Sequence, residues 1–254
     1  MKLRDRHAIS LAGAAVVLAL GAAVGCTEVS TGGPLFTSNG DWIPDPGQIV
    51  EEARPVGNVT GVILDGVGTV HVTQAGFSEL RVRAPVHVQP RLRTEMFGST
   101  LVISLDPGPA LHSSLIEYHL TVAQLERAEL IGAGAIRSTH LATGDLTLIK
   151  SGVGEIDLQG LSANRINVTQ TGLGLVRLAG SADRQVVSVD GLGDYEAVGL
   201  ASQEADLTLH SSASARVQVA NRLNAAIHGS GSVYYYGNPV ITRTGGGSGT
   251  VVGI

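Results

Sequence analysis

The chain of 254 residues carries a formal charge of −5 and is 4% aromatic against 34 glycines. That balance lacks the basic face a nucleic-acid partner requires, and so few large side chains cannot fill a wide globular core, which points to a narrow one lined by Val, Leu and Ile. A single cysteine, Cys26, excludes an intramolecular disulfide.

Lys2, Arg4 and Arg6, with Asp5 as the one acid, precede an uncharged, largely apolar stretch from Ala8 to Gly25. This is the layout of an export signal over residues 1–25. The run ends in Ala23-Val24-Gly25-Cys26, which resembles the lipobox at which bacterial lipoproteins are cut and acylated on the new N-terminal thiol; it departs from that motif at Ala23, where Leu is usual. Lipidation at Cys26 would tie an exported domain to a membrane of the cell envelope, at the outer membrane or cell surface. Left uncleaved, the same run of about 18 apolar residues is just long enough to span a bilayer. Cleavage removes three positive and one negative side chain and moves the charge from −5 to −7. Residues 26–55, with Gly32-Gly33-Pro34, Pro44-Asp45-Pro46-Gly47 and no apolar period, read as a flexible tether. Trp42, inside it, is expected to dock on the domain.

Strand signals fill residues 56–254. In the first part Gly66-Val67-Gly68 precedes Val70 and Val72, and Leu101, Ile103 and Leu105 alternate after Gly98. A Pro-Gly-Pro break marks a soft internal boundary near 107–112. Beyond it lies a repeat: Gly132-Ala133-Gly134, Gly152-Val153-Gly154, Gly172-Leu173-Gly174, Gly191-Leu192-Gly193, Gly229-Ser230-Gly231 and Gly247-Ser248-Gly249, with Ala213-Ser214-Ala215 holding the place between the fourth and fifth. The spacings are 20, 20 and 19 residues, then 22, 16 and 18. Alternating apolar pairs flank each copy, as in Ile166 and Val168 before and Val176 and Leu178 after. A unit of two or three short strands cannot bury its apolar face alone, whereas stacked copies share one core. The fold class is therefore all-β, a parallel β-helix of about 20-residue rungs; seven rungs at about 4.8 Å would stack roughly 34 Å high.

This register places Arg137, Asp157, Arg177, Glu196, Gln218 and Tyr234 in one outward column, where charges alternate in sign over four rungs. The inward column reads Ile136, Ile156, Val176, Tyr195, Val217, Val233 and Val251. It holds no charge, which argues against a cofactor or catalytic site inside the coil.

The alternating residues from Val62 to Val72, the repeated Gly-x-Gly units, and the close in His228-Gly229-Ser230-Gly231-Ser232-Val233-Tyr234-Tyr235-Tyr236-Gly237 and Gly247-Ser248-Gly249 together resemble the putative auto-transporter adhesin head GIN domain family, over about Val56 to Ile254. That resemblance implies a right-handed β-helix, a cell-envelope location and a role in adhesion, with no catalytic residues to carry over. Signal, tether and solenoid fill the 254 residues, so no membrane barrel of the autotransporter kind is expected among them.

Catalytic and metal-binding readings find little to stand on. Asp190, Asp194 and Glu196, with Glu155 and Asp157, could form the carboxylate cluster of a polysaccharide-cleaving β-helix. Arg177 falls between the two groups, and a salt-bridged surface is the reading preferred. The eight histidines have no metal-ligand spacing, and Gly-x-Gly followed by a strand offers no helix terminus for a phosphate. No catalytic residue, cofactor or metal is expected. Two surface features remain as possible binding residues: Arg81, Arg83, Arg91 and Arg93, spaced by two on their strands, and Tyr234 and Tyr236 near the C-terminal end. The arginines could grip an anionic glycan or lipid headgroup, or form a plain solvated face. The tyrosines could stack on sugar rings, or cap the last rungs. The reading reached is a non-catalytic envelope lipoprotein, anchored to a membrane, whose solenoid binds a surface glycan or protein. A structural spacer or self-assembling element is the alternative, with a polysaccharide-active enzyme behind it. The sequence leaves the oligomeric state open.

Overall fold

Alternation of apolar and polar residues makes half-buried strands, and this chain contains little else: the described residues hold nineteen strands, a 3-10 turn at Gln89–Arg91 and no α-helix. The computed structural model describes residues 47–108 and 115–254, together with the backbone of 35–36 and 42–43. The export signal and Cys26 lie outside the described residues. At the N-terminal side, β1 (Leu35–Phe36) and β2 (Trp42–Ile43) pair antiparallel through their backbones.

From β10 (Arg127–Leu130) and β11 (Ala133–Ser138) onwards the chain winds in successive coils of stacked parallel strands. β12 (Leu141–Lys150), β13 (Val153–Gln170), β14 (Leu173–Val189), β15 (Asp194–Leu209) and β16 (Ala215–Ile227) follow; β12 lies in parallel register on β10, β13 on β11 and β12, and each later strand on the one before. β17 (Val233–Tyr236), β18 (Val240–Thr244) and β19 (Val251–Gly253) complete the stack. Arg137 stands opposite Asp157, Asp157 opposite Arg177, and Arg177 opposite Glu196, as the repeat requires. The all-β solenoid with rungs of about twenty residues is thus the observed fold.

The next rung corrects the sequence register. Tyr195 faces Ala215 and Glu196 faces Arg216, so the coil after Gly191-Leu192-Gly193 returns through Ser211-Ser212-Ala213, not through Ala213-Ser214-Ala215. Ala215 therefore takes the inward place expected for Val217, and Arg216 the outward place expected for Gln218. Both glycine landmarks are missing from this one rung. In their stead the Ser211 hydroxyl accepts the Ala213 N–H at 3.2 Å and shapes the bend locally.

Stacking order departs from chain order in the N-terminal part. β4 (Gly61–Asp65) and β5 (Val67–Gln74) form one coil. Above it lie β10 and β11; beneath it lie β8 (Thr100–Leu105) and β9 (Glu117–Val122). The earliest coil is thus inserted between two later ones. Strands on both sides of the expected boundary near 107–112 belong to one coil, and residues 32–254 cluster as one unit. β6 (Glu79–Pro85) runs antiparallel to β9, and β3 (Ile49–Arg54) antiparallel to β6, while β7 (Leu92–Phe97) forms a hairpin with β8. These antiparallel strands cover the open edge that a parallel stack leaves at its end. They also shorten the expected tether, since Ile49–Arg54 is a strand, not a linker.

The core is one continuous cluster of Val, Leu, Ile and Ala. Tyr118, Val70, Ile136, Ile156, Val176, Tyr195, Ala215 and Val233 follow one another down a single inward column. Tyr195 sits beside the small Ala215, and its phenol donates to Gln185 Oε1 at 2.8 Å; Gln185 Nε2 donates to Ser202 Oγ at 2.8 Å, and Ser202 donates to the Gln218 carbonyl at 2.7 Å. The interior is therefore not wholly apolar. A neighbouring inward column even contains Lys150, fully buried, whose ammonium reaches the carbonyls of Gly152 and Leu173. Burial without a carboxylate partner pushes its pKa below the ordinary lysine value.

Close stacking is what the glycines permit. At Gly174, φ is +101°, and a Cβ there would fall inside 3.0 Å of the Gly154 carbonyl one rung below. Gly246 has open space around it. Gly174→Ala is expected to cost about 2 kcal/mol or more in urea unfolding, and Gly246→Ala to leave the midpoint nearly unchanged. For Lys150, whose folded pKa is depressed, wild-type stability rises with pH from that lowered value up to 10.5, because the unfolded chain holds the proton that the folded chain releases. Lys150→Met removes this rise, so its stability relative to wild type should fall as pH climbs through that window, as measured by chemical unfolding at stepped pH.

Candidate functional site

Side chains that leave the solenoid on the side formed by β5, β11 and the first halves of β13, β14 and β15 stand in columns one rung apart. One column reads His119, His71, Arg137, Asp157, Arg177, Glu196, Arg216 and Tyr234. With Arg216 in place of Gln218, the signs alternate over five rungs from Arg137. Arg137 bonds diagonally to Glu155 at 3.1 Å, and Arg177 reaches the same carboxylate at 3.3 Å and Asp157 at 3.9 Å. Arg216 pairs with Glu196, and its guanidinium lies 5.4 Å from the centre of the Tyr234 ring. Each such exposed pair contributes under about 1 kcal/mol. Their joint effect is to hold long side chains in fixed positions.

The carboxylates considered for hydrolysis are engaged in the same way. Asp190 meets His210 at 2.6 Å, and the His210 and His228 rings stack 4.8 Å apart. Asp194 accepts the Ser214 N–H at 2.9 Å. On another side of the coil, Arg184 pairs with Asp206 and Arg222 with Glu204 at 2.7 Å.

One place on this surface is open. The column beside the charge ladder runs Glu117, Thr69, Ala135 and Glu155, so two rungs with small outward side chains lie between two carboxylates. The result is a surface notch of about 620 Å³, floored by Gly68, Ala133, Gly134 and Ala135 and walled by His71 and Arg137. Glu117 and Glu155 stand three rungs apart in this column, a backbone spacing of roughly 14 Å at about 4.8 Å per rung. The Arg83 guanidinium donates to Glu117 Oε2 at 2.8 Å and, against the opposing effect of burial, holds that carboxyl below the usual range. His71 stacks on His119 with centroids 5.2 Å apart. Burial, then the His119 ring, keep the His71 pKa below its ordinary value, although Glu117 pulls the other way. The neutral imidazole that results has one donor and one acceptor nitrogen. Neither nitrogen, nor the Thr69 hydroxyl, nor Glu117 Oε1 hydrogen-bonds to another described residue.

The four arginines singled out in the sequence are on β6, the 3-10 turn and β7. Arg81 pairs with Glu79 at 2.9 Å and Glu51 at 3.1 Å, Arg83 with Glu117, and Arg93 with Asp106 at 2.7 Å; Arg91 donates to the Asp106 carbonyl at 3.1 Å. Their charge is largely met by the protein itself. Tyr234 is half-buried against Arg216, and Tyr236, one strand position beyond the core-packed Tyr235, is exposed. The notch was not read from sequence. Its lining comes from 68–71, 117 and 133–155, and only the inserted coil brings these together.

The family model described as "Putative auto-transporter adhesin, head GIN domain" matches residues 58–239. No curated protein matches the chain in sequence. Among solved structures, a putative adhesin from Bacteroides fragilis is similar at 24% identity and TM-score 0.77, covering 81% of this chain and 97% of that one. A putative adhesin from Parabacteroides distasonis follows at 20% identity and TM-score 0.60, covering 82% and 98%. A protein from the same organism described as a putative lipid binding protein is 18% identical with TM-score 0.64, covering 81% and 96%. Identities this low establish the shared solenoid and nothing about ligands.

His71 offers a direct check of the site's electrostatics. Removing the neighbouring imidazole in His119→Ala should raise the pH at which His71 titrates, and removing the carboxylate charge in Glu117→Gln should lower it. Imidazole proton shifts followed by NMR across pH 4 to 8, roughly the range of histidine titration, report both. Movement in the same direction for the two variants would contradict this arrangement.

Proposed function

The chain belongs to the putative auto-transporter adhesin, head GIN domain family, and from that premise we propose that it is a non-catalytic, adhesin-like protein of the cell envelope. In this reading residues 1–25 direct export and Cys26 carries the lipid that holds the protein to the membrane. The tether then sets the solenoid off the surface, where it binds a glycan or protein on another cell or matrix. One observation carries the proposal. The outward ladder from Arg137 to Tyr234 is a run of long side chains, ion-paired across rungs with neighbouring carboxylates and ending in the contact of Arg216 with Tyr234. Such a surface is pre-ordered, so a partner that docks on it loses little free energy to side-chain immobilisation. Against an enzymatic reading stand the carboxylates already engaged, Glu117 by Arg83 and Glu155 by Arg137 and Arg177.

Attachment of cells to host matrix, and to one another, should fall when the protein is absent and return when the full chain is restored. Cys26→Ser should abolish incorporation of labelled palmitate and fail to restore attachment. Equal attachment with and without the protein would overturn adhesion, and palmitate incorporation into Cys26→Ser would overturn the anchor. A concentration-dependent mass in analytical ultracentrifugation would favour a self-assembling element instead.

A further inference from the structure

We propose that the notch between Glu117 and Glu155 binds one neutral sugar residue, either as a free glycoside or as the exposed unit of a longer glycan. The inference deepens the adhesin-like reading by placing its ligand, and it rests on the shape and chemistry of the notch.

The floor is apolar and small. Gly68, Ala133, Gly134 and Ala135 present backbone and methyl groups over two rungs, whereas the same columns a rung or two above carry Val153, Leu173 and Leu175. A flat patch of this kind fits the C–H face of a pyranose ring. The rim is polar in both senses. Glu117 Oε1 accepts, Arg137 donates, and neutral His71 and the Thr69 hydroxyl can each do either. A ligand ringed by hydroxyl groups, every one a donor and an acceptor, matches such a rim on all sides, while an anion or a cation would satisfy only half of it.

Charge balance points the same way. Arg83 meets Glu117, and Arg137 and Arg177 both meet Glu155, so the walls leave little net field to favour a charged ligand. The rim groups that remain without a protein partner among the described residues, the His71 nitrogens, the Thr69 hydroxyl and Glu117 Oε1, all belong to residues that line the notch. Elsewhere on this side the equivalent positions are filled by Leu175 or by Asp194 bonded to Ser214. A volume of about 620 Å³ is within the usual range for small-ligand sites.

The full chain, purified in detergent, can be titrated with methyl glycosides of glucose, galactose, mannose and N-acetylglucosamine, and in parallel with glucuronate, phosphate and methylammonium. Saturation-transfer difference NMR should show transfer to at least one neutral glycoside, accompanied by a shift of the His71 ring protons, and little transfer to the charged compounds. Ala133→Leu and Ala135→Leu fill the notch with side chains that this fold already carries at Leu173 and Leu175. Each should weaken that binding at least roughly tenfold, with an unchanged circular dichroism spectrum and unfolding midpoint. The proposal is overturned by no transfer to any neutral glycoside, by stronger binding of the charged compounds, or by undiminished binding in both filled variants. Attachment assays separate the two readings. Attachment that persists in folded Ala133→Leu and Ala135→Leu cells sinks the notch and leaves adhesion standing, whereas sugar binding by a protein whose loss leaves attachment unaltered does the reverse.

Discussion

Everything in this protein follows from the distance at which one coil rests on the next. Parallel hydrogen bonding sets that spacing at about 4.8 Å, and at the bends it brings backbone against backbone so closely that a Cβ at Gly132, Gly152 or Gly172 would strike the carbonyl of the rung beneath. Glycine recurs every twenty or so residues because those positions have no volume to give. Where glycine is absent, at Ser211 and Ala213, a side-chain hydrogen bond to the backbone shapes the turn.

A fixed rung spacing also turns every position into a column, inside and out. Inward, columns of Val, Leu and Ile make a core too narrow for many aromatic side chains, and Tyr195 fits because Ala215 beside it is small. Outward, a residue's nearest neighbours are its counterparts in the coils above and below, so like charges would repel over the length of the stack. Alternation from Arg137 to Arg216 avoids that repulsion, and the diagonal pairing of Arg137 and Arg177 on Glu155 shows the charges sharing acceptors between columns. A run of small residues within a column has the opposite effect and leaves a gap. That is the origin of the notch.

The insertion of the earliest coil between two later ones governs both the end of the stack and the site. It lets β6, β3 and β7 close the terminal edge with antiparallel strands. It also places His71 between His119 and Arg137, residues that are far from it along the chain. Gln74 seals the insertion, its amide donating to the Ala142 carbonyl at 2.8 Å and to the Ala123 carbonyl at 3.1 Å while accepting the Ala142 N–H at 2.7 Å. A side chain there does the work of the strand that the inserted coil lacks.

By itself the sequence determined the strands, the twenty-residue period and the outward ladder as far as Glu196, because alternation and glycine spacing are local and the parallel register converts them directly into neighbours. It misjudged the rung at Ser211-Ser212-Ala213, where the glycine signal is absent and the bend is shaped by the Ser211 hydroxyl instead. It also passed over Lys150, which lies in an inward column beside the equally buried Gln170 and is held by backbone carbonyls that carry no sequence signature. The order of the coils, and with it the meeting of Glu117, His71, Arg137 and Glu155, was decided only by tertiary structure. Those contacts join segments separated by up to 66 residues across β5 and β11, a separation that a local period of about twenty residues does not encode.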